Sequence, residues 1–163
     1  MRVSRRVERW TILTWTLVLV VVGGQAVLAF VGVSIGINPT ESQPHRVFVV
    51  LHGRSFGRDD LVAFRFGGSR YYPEGTIFVK VVKGLPGDRL EIREDRTVWL
   101  DGVRLDSVRA TDSQGRTVEP FRFEGVIQKD TYFLYSAAPN SYDSRYYGLV
   151  AKSQITGRVV PIL

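Results

Sequence analysis

From Trp10 to Thr40 the chain carries no Asp, Glu, Lys or Arg, and the centre of this stretch reads LTWTLVLVVVGGQAVLAFVGV. Roughly 20 apolar residues wound as a helix cross a ~30 Å hydrocarbon core, so residues 11–33 are long enough to span a bilayer. Gly23, Gly24 and Gln25 weaken the run without breaking it. A cleavable export signal is the competing reading, because Val27-Leu28-Ala29 has the look of a small-residue cleavage site. The apolar part of such signals covers only ~7–15 residues, whereas this one runs from Ile12 to Val33. Length therefore favours an uncleaved transmembrane anchor, set here at residues 11–35 and following a basic N-terminus of residues 1–10. Arg2, Arg5, Arg6 and Arg9 precede the run, and the positive-inside rule keeps such a cluster in the cytoplasm. Residues 36–163 then lie outside the membrane, on its extracytoplasmic side.

After Val47 the pattern changes to short runs rich in Val, Ile and aromatic residues, separated by turn formers. These are RVFVVL, DLVAFRF, GTIFVKVV, RLEIRE, TVWLDGVRL, TYFLY and ITGRVVPIL. The stretches GGS at 67–69, KGLPGD at 83–88 and DSQGRT at 112–117 read as turns or loops. Few helical faces appear, so the expectation is a mainly β domain, an antiparallel barrel or two packed sheets, behind one N-terminal transmembrane helix. Residues 106–129 have the weakest periodicity and read as an irregular excursion or a hairpin.

Charge changes this picture little. The net charge of +6 could suggest nucleic acid, but the first nine residues alone hold four Arg and one Glu. Half of the excess is thus a topology signal, and no basic run follows it. Nucleic acid is not an expected partner; the lipid bilayer is. The absence of cysteine excludes a thiol nucleophile or a cysteine zinc site.

The loop NPTESQP, Asn38 to Pro44, sets Ser42 between two prolines that disfavour helix and stiffen the chain. A serine nucleophile needs a base, and only His45 and His52 are available as histidines. His45 is three residues from Ser42 with Pro44 between them, a poor geometry for a hydrogen bond to the hydroxyl. A lysine can replace histidine where burial disfavours its ammonium form. In GTIFVKVVKGLPGD, strand alternation puts Phe78, Lys80 and Val82 on one face and Val79, Val81 and Lys83 on the other. Lys80 lies within the apolar strand and Lys83 at its end, so Lys80 is the better candidate base.

These residues carry a resemblance. FVKVVKGLPGD, together with NSYDSRYYG at 140–148, resembles the lysine box and the Ser-x-Asp-Ser-Arg box of the type I signal peptidases, membrane-anchored serine proteases on a β-rich fold. Asn38-x-Thr40-x-Ser42-x-Pro44 resembles the TraF-type conjugative-transfer branch, and RDDLVAF at 58–64 resembles a Gly-Asp-Leu-Val-x-Phe strand shared by both branches. The resemblance implies Ser42 as nucleophile, Lys80 as general base and Ser141 as the hydroxyl that orients the lysine amine. It also implies Thr40 beside the Ser42 N–H in the oxyanion hole, a structural pair of Asp143 and Arg145, and Phe78 and Val79 as walls of substrate pockets. No metal or cofactor is implied. The implied substrate is an exported precursor with small residues before the cut, and the implied place is a bacterial inner membrane, with a single pass and a periplasmic catalytic domain.

Some positions depart from that pattern. Val81 stands where the main branch has Arg, and Tyr135-Ser136-Ala137 stands where it has Gly-Asp-Asn, so an arginine–aspartate pair is lost as a unit. Arg46 and Asp59 stand where glycine is common and put local loop geometry in question. The favoured reading is a processing peptidase for a pilin or other secretion-system precursor, with water or a peptide amine, the latter closing a ring, resolving the acyl-enzyme. A housekeeping signal peptidase and a non-catalytic anchored assembly module are the alternatives. A self-cleaving repressor would need a DNA-binding N-terminus where this chain has its apolar run.

Overall fold

A computed structural model describes residues 2–37 and 47–162, with side chains from residue 8 onward except at Ile37. The chain divides into two units, residues 1–34 and 35–163.

The first unit is dominated by helix α1, Arg2–Phe30. Its segment Glu8–Phe30 has a mean hydropathy of 2.1 and is long and apolar enough to cross a membrane. Leu13, Trp15, Leu17 and Leu19 are each at least 60% exposed, so this apolar surface is not consumed by packing within the protein. The helix stops five residues short of the expected anchor boundary. Gly32 takes a positive φ of 70°, donates its N–H to the Ala29 carbonyl, and closes the last turn. Beyond it the alternation of Val33, Ile35 and Ile37 with Ser34 and Gly36 is strand-like, and β1 spans Val33–Ile37.

The second unit is built from two antiparallel sheets. The first contains, in spatial order, β1, β2 (Val47–His52), β11 (Ile155–Pro161), β3 (Leu61–Arg65), β4 (Ile77–Gly84), β9 (Thr131–Tyr135) and β10 (Val150–Ala151). The second is ordered β7 (Val103–Ser107), β6 (Thr97–Leu100), β5 (Arg89–Ile92) and β8 (Phe123–Val126). The expected mainly β, two-sheet domain is therefore what forms. One helical turn, α2 (Ser144–Tyr147), lies in the loop between β9 and β10.

The run TVWLDGVRL, which reads as one strand, is two. Asp101 and Gly102 both take positive φ, 49° and 77°, and turn the chain back between β6 and β7. Asp-Gly with two left-handed residues is the favoured two-residue hairpin loop, because its twist matches that of the flanking strands. The segment 106–129 is irregular only in part: Thr111 bridges Thr117 around the DSQGRT turn, and β8 pairs with β5.

Strand β9 explains how the sheets share their interior. Four of its five residues, Tyr132 to Tyr135, are buried. Tyr132 and Leu134 join Val62, Phe64 and Val82 in one cluster, while Phe133 and Tyr135 join Leu90 and Val98 of the second sheet, and Ile127 just after β8, in another. A strand buried on both faces has no polar alternation to show, which accounts for the continuous apolar run TYFLY.

Candidate active site

Lys80 lies in the middle of β4, paired across the sheet with Val62 of β3. The burial of β4 alternates as the sequence predicts: Lys80 and Val82 are buried, with Val79, Val81 and Lys83 less so. Lys80 retains 3% of its accessible surface. Its ammonium has few options there. Nζ donates to Ser141 Oγ at 2.9 Å and lies 5.7 Å from the centre of the Phe78 ring. No carboxylate forms an ion pair with it among the described residues. Burial lowers its pKa from the ordinary lysine value to about 8; Asp143 pulls it back up by its negative charge, and Arg145 pushes it further down. Lys83 is the opposite case, partly exposed and bonded to Asp59 at 2.5 Å.

Ser141 is presented by a loop that Asp143 and Ser144 fix. The Asp143 carboxylate caps α2 by accepting the Arg145 N–H at 3.1 Å, and it also accepts the Ser136 N–H at 3.2 Å. Ser144, fully buried, accepts the Leu134 N–H of β9 on its hydroxyl at 3.0 Å. Gly148 ends the turn at a φ of 89°, with the Phe121 ring packed where a side chain would begin. The loop is thereby stitched to β9, the strand next to β4, and this places Ser141 over Lys80.

Arg145 is 96% buried, and all five of its side-chain N–H donors are used. Nε and one Nη2 donor go to Asp143, each at 2.9 Å, and the other Nη2 donor goes to the Ser136 carbonyl at 3.3 Å. Nη1 donates to Asp106 of β7 and to the Ser107 carbonyl. The guanidinium also lies 4.9 Å from the centre of the Tyr135 ring, whose hydroxyl donates to the same Asp106 at 2.8 Å. The pair of Asp143 and Arg145 is thus an interior ion pair with a third member, Asp106, that pattern reading missed. A bond spanning 39 residues into the segment with the weakest periodicity leaves no spacing signal.

The substituted positions repack as a unit. Val81 pairs in register with Tyr135 of β9, so an apolar residue stands at the position where the main-branch pattern has Arg, while Ser136, at the Asp position, gives its N–H to Asp143 and its carbonyl to Arg145. Asp59 adopts a positive φ of 69°, the conformation a glycine would supply, and Lys83 neutralises its carboxylate. The RDDLVAF segment is clamped to the lysine box, since Arg58 donates to Asp88 at 2.8 Å and to the Lys83 carbonyl at 2.6 Å.

The two residues offered as pocket walls stand on opposite faces of the sheet. Phe78 packs with Phe64, Phe66 and Tyr72 on the Lys80 face, whereas Val79 packs with Phe48, Ala63 and Val159 on the other. Ser42, Thr40 and Arg46 lie outside the described residues.

With this geometry in hand, the chain belongs to the signal peptidase family, peptidase S26, whose model matches residues 6–163. Within that family its similarities are to the TraF-type branch. It is 44% identical over 86 residues to the conjugal transfer protein TraF of Agrobacterium fabrum, an alignment covering 52% of this chain and 47% of that protein. It is 38% identical, over the same coverage, to the protein of the same name from Agrobacterium tumefaciens. The chain spans about half the length of the curated relatives it matches. A signal peptidase I from Enterococcus faecalis superposes with a TM-score of 0.43 at 27% identity, covering 64% of this chain and 97% of that one.

Proposed function

We propose that this protein is a membrane-anchored serine endopeptidase that removes leader peptides from exported precursors, a pilin or other conjugation subunit being the favoured substrate. The observation that carries the reading is the buried Lys80, held by Ser141 and with its pKa lowered toward neutrality. At pH 7 a group with a pKa of about 8 is neutral about one time in ten, enough to serve as a general base. A neutral amine that donates one N–H to Ser141 has its lone pair confined to the remaining directions, which prepares it for one proton donor.

Ser42 is that donor. Lys80 takes its proton, Ser42 Oγ attacks the scissile carbonyl, and Thr40 with the Ser42 N–H stabilises the oxyanion. The protonated lysine then supplies the leaving amine with its proton, and a water activated by the same amine hydrolyses the ester. Helix α1 serves as the anchor, with the arginine cluster in the cytoplasm and the catalytic unit on the periplasmic side of the inner membrane.

The test compares exported proteins by mass spectrometry in cells that carry the wild-type chain, Ser42→Ala or Lys80→Met. The expected result is one or a few precursors that keep their leaders in both variants. Precursors processed normally in both would overturn the reading.

A further inference from the structure

A cavity of about 320 Å³ has Ser141 in its lining, and none of the roles above uses it. Its apolar walls are Tyr71, Tyr72, Tyr142 and Tyr146. The rings brace one another: Tyr142 stacks on Tyr72 and on Tyr146, with centroids 5.7 Å apart in each case, and meets Tyr71 edge-on at 5.4 Å. Such a wall is rigid and offers flat apolar surface to a ligand without paying much side-chain entropy.

The polar lining is unbalanced. Asp112 is satisfied within the protein, since it pairs with Arg116 at 2.7 Å and accepts the N–H groups of Gln114 and Arg116 at 2.9 Å each. Arg109 has no such counterpart. It donates to the Pro139 carbonyl and to the Asn140 side-chain oxygen, both neutral, and no carboxylate pairs with it among the described residues. One guanidinium is therefore positioned at the pocket by neutral acceptors, with its charge left for something else. Guanidinium forms its strongest hydrogen bonds with carboxylate.

We propose that this pocket is a substrate subsite that takes a carboxylate-bearing segment of the peptide, with Arg109 as the residue that selects it. The carboxylate is either an acidic side chain or a free C-terminus, and the inference rests on the peptidase reading above. Continuity with the chemistry supports it: Ser141 lines the cavity and its Oγ is 2.9 Å from Lys80 Nζ. An extended peptide advances ~3.3 Å per residue, so a segment in the pocket is only a few residues from a bond cleaved at Lys80. The volume is at the lower end of the ~300–1,000 Å³ typical of ligand pockets, and it suits one or two residues rather than a folded partner.

The test uses the full-length protein in detergent and four peptides that share Ala at the first and third positions before the cut. One is neutral and amidated, one carries Glu before the cut, one carries Glu after it, and one is neutral with a free C-terminal carboxylate. Binding is measured by fluorescence polarisation with Lys80→Met, so that affinity is read even if nothing is cleaved; kcat/KM is measured with the wild type. At least one carboxylate peptide should exceed the neutral amide by about tenfold in both measurements, the scale of one charge-assisted hydrogen bond. The preference should vanish in Arg109→Ala, reverse in Arg109→Glu and survive in part in Arg109→Lys. A preference in the Glu peptides alone assigns a side-chain carboxylate; one in the free-acid peptide alone assigns a chain terminus. Equal affinity for all four peptides, or a preference that persists in Arg109→Glu, would overturn the subsite. Selective binding without cleavage would instead leave the subsite standing and count against the peptidase reading.

Discussion

Lys80 and Lys83 are three residues apart on one strand and have opposite fates, which makes them a sharp test at the scale of single residues. Lys80→Met should abolish cleavage by at least the ~10²–10⁴-fold typical of losing a general base, whereas Lys83→Ala, which breaks only a partly exposed pair with Asp59, should keep most activity. Because the neutral amine is the active form, kcat/KM should rise about tenfold per pH unit below pH 8 and level off above it. A profile flat from pH 6 to 9 would exclude Lys80 as the titrating base. The same burial costs stability. With a folded pKa of about 8 against an ordinary 10.5, the penalty is fully present below pH 8, fades as pH rises, and is gone above pH 10.5. Lys80→Met should therefore raise stability by ~1–3 kcal/mol at pH 7, and the gain should shrink between pH 8 and 10.5. Lys80 was legible because alternation along a strand is a local property. Asp106 was not, since its role depends on a turn that brings β7 to Arg145. Asp106→Ala should cost ~1–3 kcal/mol in urea unfolding by leaving a guanidinium donor and the Tyr135 hydroxyl without their acceptor.

Elements were legible where one face was buried and the other was not. Strand β4 alternates cleanly, whereas TYFLY reveals a strand but not that it serves two cores at once. The one-turn helix α2 had no periodic signal, because four residues are too few to have a face; it exists through the Asp143 cap and the Ser144 bond to β9. Gly84 is legible as a turn residue, yet its structural reason is packing. A Cβ there would come within 2.5 Å of Ile127 Cδ1 and 2.7 Å of Phe133 Cβ, where the end of β4 meets the interior of the second sheet. Gly84→Ala should accordingly destabilise by ~1–3 kcal/mol through overpacking, visible as a lower unfolding midpoint. Gly87, by contrast, meets nothing within 4 Å but holds a φ of 98°, so its replacement by Ala should strain the turn alone and leave the core intact. Equal effects of the two substitutions on near-UV circular dichroism, which reports aromatic packing around Phe133, would argue against this division of roles.

For the whole molecule, the apolar run and the β-rich remainder were legible from the local pattern, because a long helix apolar on every side and strands that pack on a core require different residue orders. The run's length marks the apolar helix but not its end: Val33 to Ile37 are apolar enough to extend it, and only Gly32 and the β-branched alternation mark the change to strand. Orientation is the property that charge decides. Four arginines precede the span Glu8–Phe30 or lie in its first turns, and the fifteen residues after Phe30 hold no Lys or Arg. Moving an arginine to the centre of a membrane helix costs ~2.5–3.5 kcal/mol on the insertion scale, so transferring that cluster outward is the costlier choice. The arginines should stay in the cytoplasm, with residues 36–163 outside. In spheroplasts from cells that make the full chain, protease added to the outer face should degrade an epitope at the C-terminus while one fused before Arg2 survives until the membrane is opened with detergent. Survival of the C-terminal epitope in intact spheroplasts, with digestion only after detergent, would place the β-rich unit in the cytoplasm and remove its access to exported precursors.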